Sequence, residues 1–244
     1  MSSSADSIVG IVVALPEELC TLTTMKLKQG ECTQLGNVLI VRSGTGMVNA
    51  AKAAQTLIEK GAKQLVSWGC AAGLVKDVKP GDILLAEKVV SEQDQFDTDA
   101  QWRRRVLRTL NSVVPVHSGK LFTSNKLVSH SLDKQQIQQH SQAYALDMES
   151  AAIADVARKG NLPFLAIRSI ADPVNMDLPA AVLASLNGEG QVKLSKLLRH
   201  LLFHPWEILG LIKLGLHFHA AQKTLKTVAR QLKINDNHPV PIAN

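Results

Sequence analysis

The chain has 244 residues, of which 45% are hydrophobic and 20% are charged, so it is long enough to bury the core of one large α/β domain or of a domain with an appendage. Its three cysteines, Cys20, Cys32 and Cys70, have no metal-like spacing; they indicate neither a disulfide framework nor a metal site, and they favour a reducing, cytoplasmic setting. The formal charge is +6, but eight basic residues and one acidic residue lie between Lys193 and Lys233, so the excess positive charge is confined to the last part of the chain.

Apolar runs alternate with helical patterns from the start of the chain to about position 175. The sequence predicts buried strands over 7–15, 38–41, 64–68, 82–90, 116–122 and 164–167, and helices over 46–60, over 126–140 and directly after Glu149. Continuous apolar strands that alternate with helices are typical of an α/β protein whose mostly parallel sheet is covered on both sides. We therefore predict an α/β domain over 1–190, a basic amphipathic helical tail over 191–235 and a disordered end over 236–244.

Two segments of small residues follow predicted strands. Residues 43–46 (Ser-Gly-Thr-Gly) open a helix and approach a dinucleotide fingerprint, but Asn49 stands where the third glycine is expected and the next strand ends without an acid. A nicotinamide cofactor is therefore disfavoured. The glycines either permit a tight turn and nothing more, or they let a ligand approach the backbone beside the hydroxyl of Ser43. Residues 69–73 (Gly-Cys-Ala-Ala-Gly) are predicted as a second turn, against which a flat ring could lie.

Two acidic clusters are the most informative feature of the chain. Residues 146–150 (Leu-Asp-Met-Glu-Ser) open a helix, and residues 168–173 (Arg-Ser-Ile-Ala-Asp-Pro) follow a short apolar strand. A carboxylate at the end of a buried strand lies at the mouth of the sheet, where open α/β folds bind ligands. Two carboxylates in different surroundings can divide the acid and the charge-stabilising roles in bond cleavage at a sugar. Each acid could instead only begin a helix or form a turn.

In this order, the motifs resemble those of the purine nucleoside phosphorylase and methylthioadenosine/adenosylhomocysteine nucleosidase superfamily. The resemblance extends to about position 175 and rests on residues 14–19 (Ala-Leu-Pro-Glu-Glu-Leu), 43–46, 69–74, 80–83 (Pro-Gly-Asp-Ile), 147–152 (Asp-Met-Glu-Ser-Ala-Ala) and 167–172. It implies a three-layer α/β/α sandwich with a central, mostly parallel mixed sheet, here with a C-terminal helical extension. It also implies cleavage of the bond between a purine and its ribose.

The resemblance also implies roles for individual residues. Asp172 is expected to be the general acid at the purine, Glu149 the carboxylate at the ribose, and Glu18 the residue that activates an attacking water. The expected substrate contacts are Met148 under the sugar, Phe122 stacked on the base, Arg168 beside the acid, and Thr123, Ser43, Gly44, Cys70, Ala71 and Ala72 around them. We expect the helix dipole to keep Glu149 ionised and a dry pocket to help Asp172 hold a proton.

The attacking group is water or phosphate. Pro16-Glu17-Glu18 fits the hydrolysing branch, although the proline replaces the more usual acid. Phosphorolysis needs an anion site built with arginines and hydroxyls, and Arg42 and Ser43 are the only obvious residues for it. The sequence favours hydrolysis, and we expect the reaction to need no cofactor. Phosphate as a co-substrate is the alternative.

The basic tail departs from the smaller members of the family. It resembles the hopanoid-associated nucleosidase/phosphorylase branch, including residues 205–215 (Pro-Trp-Glu-Ile-Leu-Gly-Leu-Ile-Lys-Leu-Gly), which implies adenosylhopane as the substrate; methylthioadenosine-like nucleosides are the alternative. Basic residues among Trp, Phe and Leu are typical of an interfacial helix, so we expect contact with the inner face of the membrane, or else a hairpin packed on the protein or on a homodimer partner. Residues 1–7 do not begin like a signal peptide. Nucleic-acid binding is not expected, since no stacking platform is apparent; a non-catalytic nucleoside-binding adaptor is a further alternative.

Overall fold

The computed structural model describes residues 7–185 and 194–234, and in these ranges nine strands form one sheet. The strands are β1 Val9–Val13, β2 Cys32–Leu35, β3 Val38–Arg42, β4 Gln64–Gly73, β5 Ile83–Val90, β6 Gln95–Asp97, β7 Val116–Thr123, β8 Ala145–Asp147 and β9 Phe164–Asp172. The helices are α1 Pro16–Leu19, α2 Met47–Glu59, α3 Ala100–Leu110, α4 Ser131–Ser141, α5 Ser150–Lys159, α6 Ala180–Ser185, α7 Leu194–Phe203 and α8 Ile208–Gln231, and a 3₁₀ turn, Pro205–Glu207, precedes α8.

The sheet is mixed, and part of it closes on itself. Its order is β2-β3-β1-β4-β8-β7-β5-β6, and β9 pairs in parallel with β4 and in antiparallel with β5. Strands β4, β8, β7, β5 and β9 therefore form a ring. Parallel pairing of β1 with β3 and β4, and of β7 with β5 and β8, places several strand ends on one side of the molecule.

Helices cover both faces of the sheet. On one face α2 and α5 pack through small and aliphatic residues such as Ala54, Leu57 and Ile153. On the other face α3 and the second half of α8 pack through Trp102, Leu225 and neighbouring apolar residues. Each buried strand is apolar toward both layers, which is why its sequence shows continuous rather than alternating hydrophobicity. The predicted α/β/α sandwich with a C-terminal helical extension is confirmed.

Two strands are longer than the sequence predicts. Residues 69–73 do not form a turn, because β4 continues to Gly73 with β9 paired along one side of it and Leu146 and Ala145 of β8 along the other at its end. Similarly, β9 runs through Arg168 to Asp172 and is buried throughout. Pairing on both sides extends the strands through residues whose own β propensity is low.

The tail contains α7 and α8, and the two halves of α8 have different surroundings. The second half of α8 is buried through Ala221, Leu225 and Val228, whereas the first half exposes Leu209 and Ile212. The proposed boundary at 190/191 stays a prediction, and the end predicted to be disordered, 236–244, lies outside the described residues. Within the described ranges, none of the helices is both long and apolar enough to cross a bilayer.

Candidate active site

Glu18 is buried directly after β1 and connects it to β4. Its Oε1 accepts a hydrogen bond from the backbone N–H of Cys70 at 2.8 Å, and its Oε2 accepts from Leu15 and Ala14 at 3.0 and 3.1 Å. Burial raises the pKa of Glu18, while the guanidinium of Arg168 opposes the rise. A carboxyl group that is fixed by three backbone hydrogen bonds and whose pKa is raised is suited to exchanging a proton with a ligand.

Arg168, in the middle of β9, is the centre of a buried polar network. Its Nη2 donates to Oδ2 of Asp147 and to Oγ of Ser67, each at 2.6 Å, and its Nε donates to the same Asp147 oxygen at 2.9 Å. Burial would lower the pKa of the guanidinium, but three carboxylates raise it overall, those of Asp147, Glu18 and Glu149. One cation thus lies among three acidic side chains in a buried site.

The small residues of β4 leave the space that this network fills. A Cβ at Gly69 would collide with the carboxylate of Glu18 and would lie 2.7 Å from Nη1 of Arg168. The neighbouring thiol, Cys70, has its pKa raised well above 9.0 by burial and then by the charge of Glu18. Beyond Ala71, the strand places Ala72 opposite Asp172 of β9. Residues 69–73 therefore leave space for the side chains of Glu18 and Arg168, and they do not form the predicted turn.

Glu149 lies at the N-terminus of α5, yet its carboxylate reaches the start of another helix. Its Oε1 accepts a hydrogen bond from the N–H of Gly46, the N-cap residue of α2, at 2.9 Å, and its Oε2 lies 3.3 Å from the N–H of Met148. Burial, followed by repulsion from Asp147, raises the pKa of Glu149 from 4.5 to about 7, and Arg168 opposes the rise. Desolvation and the second carboxylate thus oppose the helix dipole, so Glu149 is not kept fully ionised near neutral pH as the sequence predicts.

Asp172 is the last residue of β9 and is buried. Its Oδ2 accepts a hydrogen bond from Nζ of Lys134 at 2.5 Å, and its Oδ1 has no hydrogen-bond partner among the described residues. Burial raises the pKa of Asp172, while the ammonium of Lys134 opposes the rise. The carboxyl thus occupies the dry environment that the sequence analysis expects for a proton donor.

Three of the remaining predicted contacts lie in three different places. Thr123 donates a hydrogen bond to Oδ1 of Asp147 at 2.7 Å, so it belongs to the network of Arg168. Ser43 lies at the end of β3, where its Oγ is 2.7 Å from the carbonyl oxygen of Gly44. Phe122 points to the other side of β7 and lines a cavity of about 710 Å³ together with residues of α4. This cavity is not lined by Glu18, Glu149 or Asp172, and stacking of Phe122 on a base stays a prediction.

Four residues of the site were not assigned a role from the sequence: Asp147, Ser67, Ser150 and Lys134. Asp147 is the first residue of the quoted motif at 147–152. Its position at a strand end is the signal that could have identified it as a site residue. Ser150 donates to Oγ of Ser67 at 2.9 Å in the interior, a pairing across 83 positions that no local pattern reveals. Lys134 lies in a polar helix, where the only hint is its spacing of three from Ile137 on the same helix face.

A sheet of this kind, with buried ionisable side chains at its strand ends, is typical of α/β enzymes, which bind their ligands at the mouth of the sheet. The family model described as "Phosphorylase superfamily" matches residues 9–202. The chain therefore belongs to the phosphorylase superfamily. This membership and the names of the relatives described next support an enzyme rather than a non-catalytic adaptor.

Named relatives agree with this assignment. The chain is 29% identical over 199 residues to a 5′-methylthioadenosine/S-adenosylhomocysteine nucleosidase of Desulfotalea psychrophila, a match that covers 68% of this chain and 84% of that protein. A nucleosidase of the same name from Shewanella denitrificans is 30% identical over 165 residues, which are 59% of this chain and 71% of the relative.

Solved structures share the fold. The nucleosidase of Helicobacter pylori in complex with butyl-thio-DADMe-Immucillin-A has a TM-score of 0.68 and 19% identity, over 94% of this chain and 97% of that one. The futalosine hydrolase of the same organism has a TM-score of 0.67 and 19% identity, over 96% and 98%. At these identities the likeness concerns the fold.

Proposed function

We propose that this enzyme cleaves the N-glycosidic bond of a 5′-substituted adenine nucleoside and releases adenine. The observation that carries the proposal is the pairing of two kinds of acid: a carboxylate cluster around Arg168, and a separate buried carboxyl, Asp172, at the end of the same strand. The names of the sequence relatives support the same reaction class.

The two kinds of acid suit the two charges that develop as the bond breaks. The sugar becomes positive and the departing base becomes negative. A carboxyl such as Glu149, whose ionisation is disfavoured in the resting site, gains the most when a positive charge forms beside it, so it stabilises the transition state more than the ground state. Asp172 donates its proton to the base, a role typically worth about 10²–10⁴-fold in rate.

Water is the attacking group that the geometry favours. Arg168 is committed to Asp147, and the buried Arg42 donates through Nη1 to the carbonyl oxygen of Leu27 at 3.0 Å. Arg168 therefore offers no free fork for phosphate, whereas the buried Nε of Arg42 has no hydrogen-bond partner among the described residues. Glu18 is instead available to take a proton from a water molecule at the sugar.

The finer proposal is that the substrate is adenosylhopane and that the tail rests on the membrane. Support comes from an exposed apolar surface, which we call the tail surface, formed by α7, the 3₁₀ turn and the first half of α8. Its large exposed side chains are Leu202, Phe203, Trp206, Ile208, Leu209, Ile212 and Leu216. The exposed cations Lys196 and Lys213 lie on the same helices, and this combination matches an anionic lipid surface.

The substrate is tested by incubating the enzyme with methylthioadenosine and with adenosylhopane, each with and without phosphate, and by measuring adenine by chromatography. We expect adenine release without phosphate, and faster release from adenosylhopane. Asp172→Asn and Glu149→Gln variants should lose most of this activity, whereas Glu59→Gln, an exposed glutamate of α2, should not. Preferential cleavage of methylthioadenosine would replace the hopanoid proposal with the activity of the named relatives, and parental rates in both site variants would refute the mechanism.

Membrane contact is tested by flotation with anionic and neutral vesicles. Deleting the tail is a poor test, because it also removes Leu225 and Val228 from the core. We expect Trp206→Gln with Leu209→Gln to abolish binding to anionic vesicles, while Leu132→Gln, an equally exposed leucine on α4, leaves it unchanged. If the parent protein does not float but is dimeric in light scattering, and the tail variant is monomeric, a second copy covers the surface instead.

A further inference from the structure

Lys134 is the most unusual charged residue that the proposed mechanism has not used. It lies in α4 and its side chain is fully buried. All three of its ammonium protons have acceptors: Oδ2 of Asp172 at 2.5 Å, the carbonyl oxygen of Met176 at 2.7 Å and that of Pro173 at 3.2 Å. A buried ammonium is costly unless it is paired and fully hydrogen-bonded, so this contact fixes the position of the lysine with little freedom.

The lysine also distinguishes the two oxygens of Asp172. One oxygen, Oδ2, is held by the ammonium, and the other, Oδ1, is buried and has no partner among the described residues. Only 10% of the aspartate side chain is exposed, so bulk water does not easily satisfy that oxygen, and an unsatisfied buried oxygen is itself unfavourable. Oδ1 is therefore the oxygen whose hydrogen-bonding capacity is left for a ligand.

The electrostatic surroundings of Asp172 are simple. The charged groups that act on it are Lys134 of α4 and, more weakly, Asp177 of the segment that follows β9. Asp177 lies 3.8 Å from Nδ1 of His130 and is largely exposed, so solvent screens its charge. The strand residue opposite Asp172, Ala72, carries no charge. Lys134 therefore dominates the local field at this carboxyl.

We propose that Lys134 is a positioning residue for proton donation: it holds Oδ2 of Asp172, turns Oδ1 toward the nucleobase, and stabilises the carboxylate that remains after the proton has left. This inference rests on the proposed function. As the glycosidic C–N bond breaks, its electron pair goes to the base, the O–H bond of Asp172 breaks and an N–H bond forms on the base. Solvent returns the proton to Asp172 after adenine has left. The ammonium favours this step because it faces a full carboxylate only once the proton has moved.

The sign of the pH effect separates this role from a structural one. A general acid works while protonated, so the rate falls as pH rises through the pKa of Asp172. Removing the ammonium takes away the one group, among the residues that the structure describes, that lowers this pKa. The descending limb of the pH–rate profile should therefore move to higher pH in Lys134→Gln, although the variant is slower at its optimum.

The experiment measures kcat and KM for adenine release from methylthioadenosine between pH 5 and 10 in the parent, Lys134→Gln, Lys134→Arg and the control Lys52→Met, an exposed lysine in α2. We expect Lys134→Gln to lower kcat about 10-fold or more, which is part of the contribution of a proton donor. KM should change little, and the descending limb of the pH–rate profile should move to higher pH. Lys134→Arg keeps the charge, so its limb should coincide with that of the parent, while the larger guanidinium displaces the carboxyl and lowers kcat. Lys52→Met should match the parent.

A double-mutant cycle completes the test. In the Asp172→Asn background, Lys134→Gln should change kcat less than twofold, because the lysine acts through the aspartate. A full additional loss in that background, or an unshifted limb in Lys134→Gln, overturns the inference. If Lys134→Gln does not fold, Lys134→Arg decides: a parental kcat or a displaced limb refutes the positioning role. An inactive parent would instead count against the proposed function.

Discussion

Replacing Glu149 by glutamine tests the electrostatic state of the carboxylate cluster independently of any substrate. The carboxylate lies beside Asp147, and burial together with that neighbour raises its pKa from 4.5 to about 7. A group whose pKa is higher in the folded than in the unfolded chain destabilises the fold wherever the unfolded chain is ionised. The stability of the parent should therefore fall as pH rises from 4.5 to 7 and then level off.

The magnitude follows from the same shift. A rise from 4.5 to about 7 corresponds to about 3 kcal/mol at pH 8, since each tenfold change in proton affinity is worth about 1.4 kcal/mol. Part of the Glu149 surface stays accessible, so we expect solvent screening to reduce the effect to about 2 kcal/mol. Glutamine keeps an acceptor for the N–H of Gly46 and removes the charge. Glu149→Gln should therefore be more stable than the parent at pH 8 by this reduced amount.

Urea unfolding at pH 8 and at pH 4.5 measures this difference. At pH 4.5 or below, the parent glutamate is mostly protonated in the folded state, so the two proteins should differ little. Glu59→Gln, which changes an exposed glutamate in the same way, should show no pH-dependent gain. A stability difference between Glu149→Gln and the parent that is equal at both pH values would refute the reasoning, because it would place the effect in packing rather than in charge.

Other consequences of the buried network can be measured directly. Arg168→Met should lower the free energy of unfolding by about 3–5 kcal/mol, because the carboxylate of Asp147 is left unpaired in the interior. A free energy of unfolding in urea close to that of the parent would contradict this. Gly69→Ala should lower both thermal stability and activity, because the added methyl group displaces Glu18 and the guanidinium, and parental values for both would show that the strand can shift. Cys20 is exposed and should react with iodoacetamide at pH 8, whereas Cys70, whose pKa burial and a nearby carboxylate raise, should react at least 10-fold more slowly; mass spectrometry of the labelled peptides distinguishes the two.

The strands and helices with strong local signals could be predicted from the sequence. Buried β1 and β3 have uninterrupted aliphatic runs, and α2 begins after a glycine within one residue of its predicted start. The extensions of β4 and β9 could not be predicted, because pairing with distant partners, rather than local propensity, keeps residues 69–73 in the sheet. Short elements such as α1, β2, β6 and β8 were also not predicted, since three or four residues carry little periodicity.

The candidate site was predictable to the extent that its residues stand in motifs. The sequence placed Glu18, Glu149 and Asp172 at element boundaries, and the structure has them there. The electrostatics could not be predicted in the same way: the pKa of Glu149 depends on Asp147, Arg168 and depth of burial, which arise only when β8 and β9 are in place. Lys134 lies outside every motif, and its role depends on a contact across 38 positions.

The packing of α8 on the sheet has a consequence for biosynthesis. Leu165 and Ile167 of β9 share an apolar cluster with Leu225 and Val228 near the end of the chain. A ribosome that has released the chain only as far as Phe203 has therefore produced all the strands described above, yet one side of the sheet still lacks part of its cover. Such an intermediate exposes aliphatic surface of the kind that favours aggregation, so synthesis of α8 is needed before this side of the sheet is shielded from solvent.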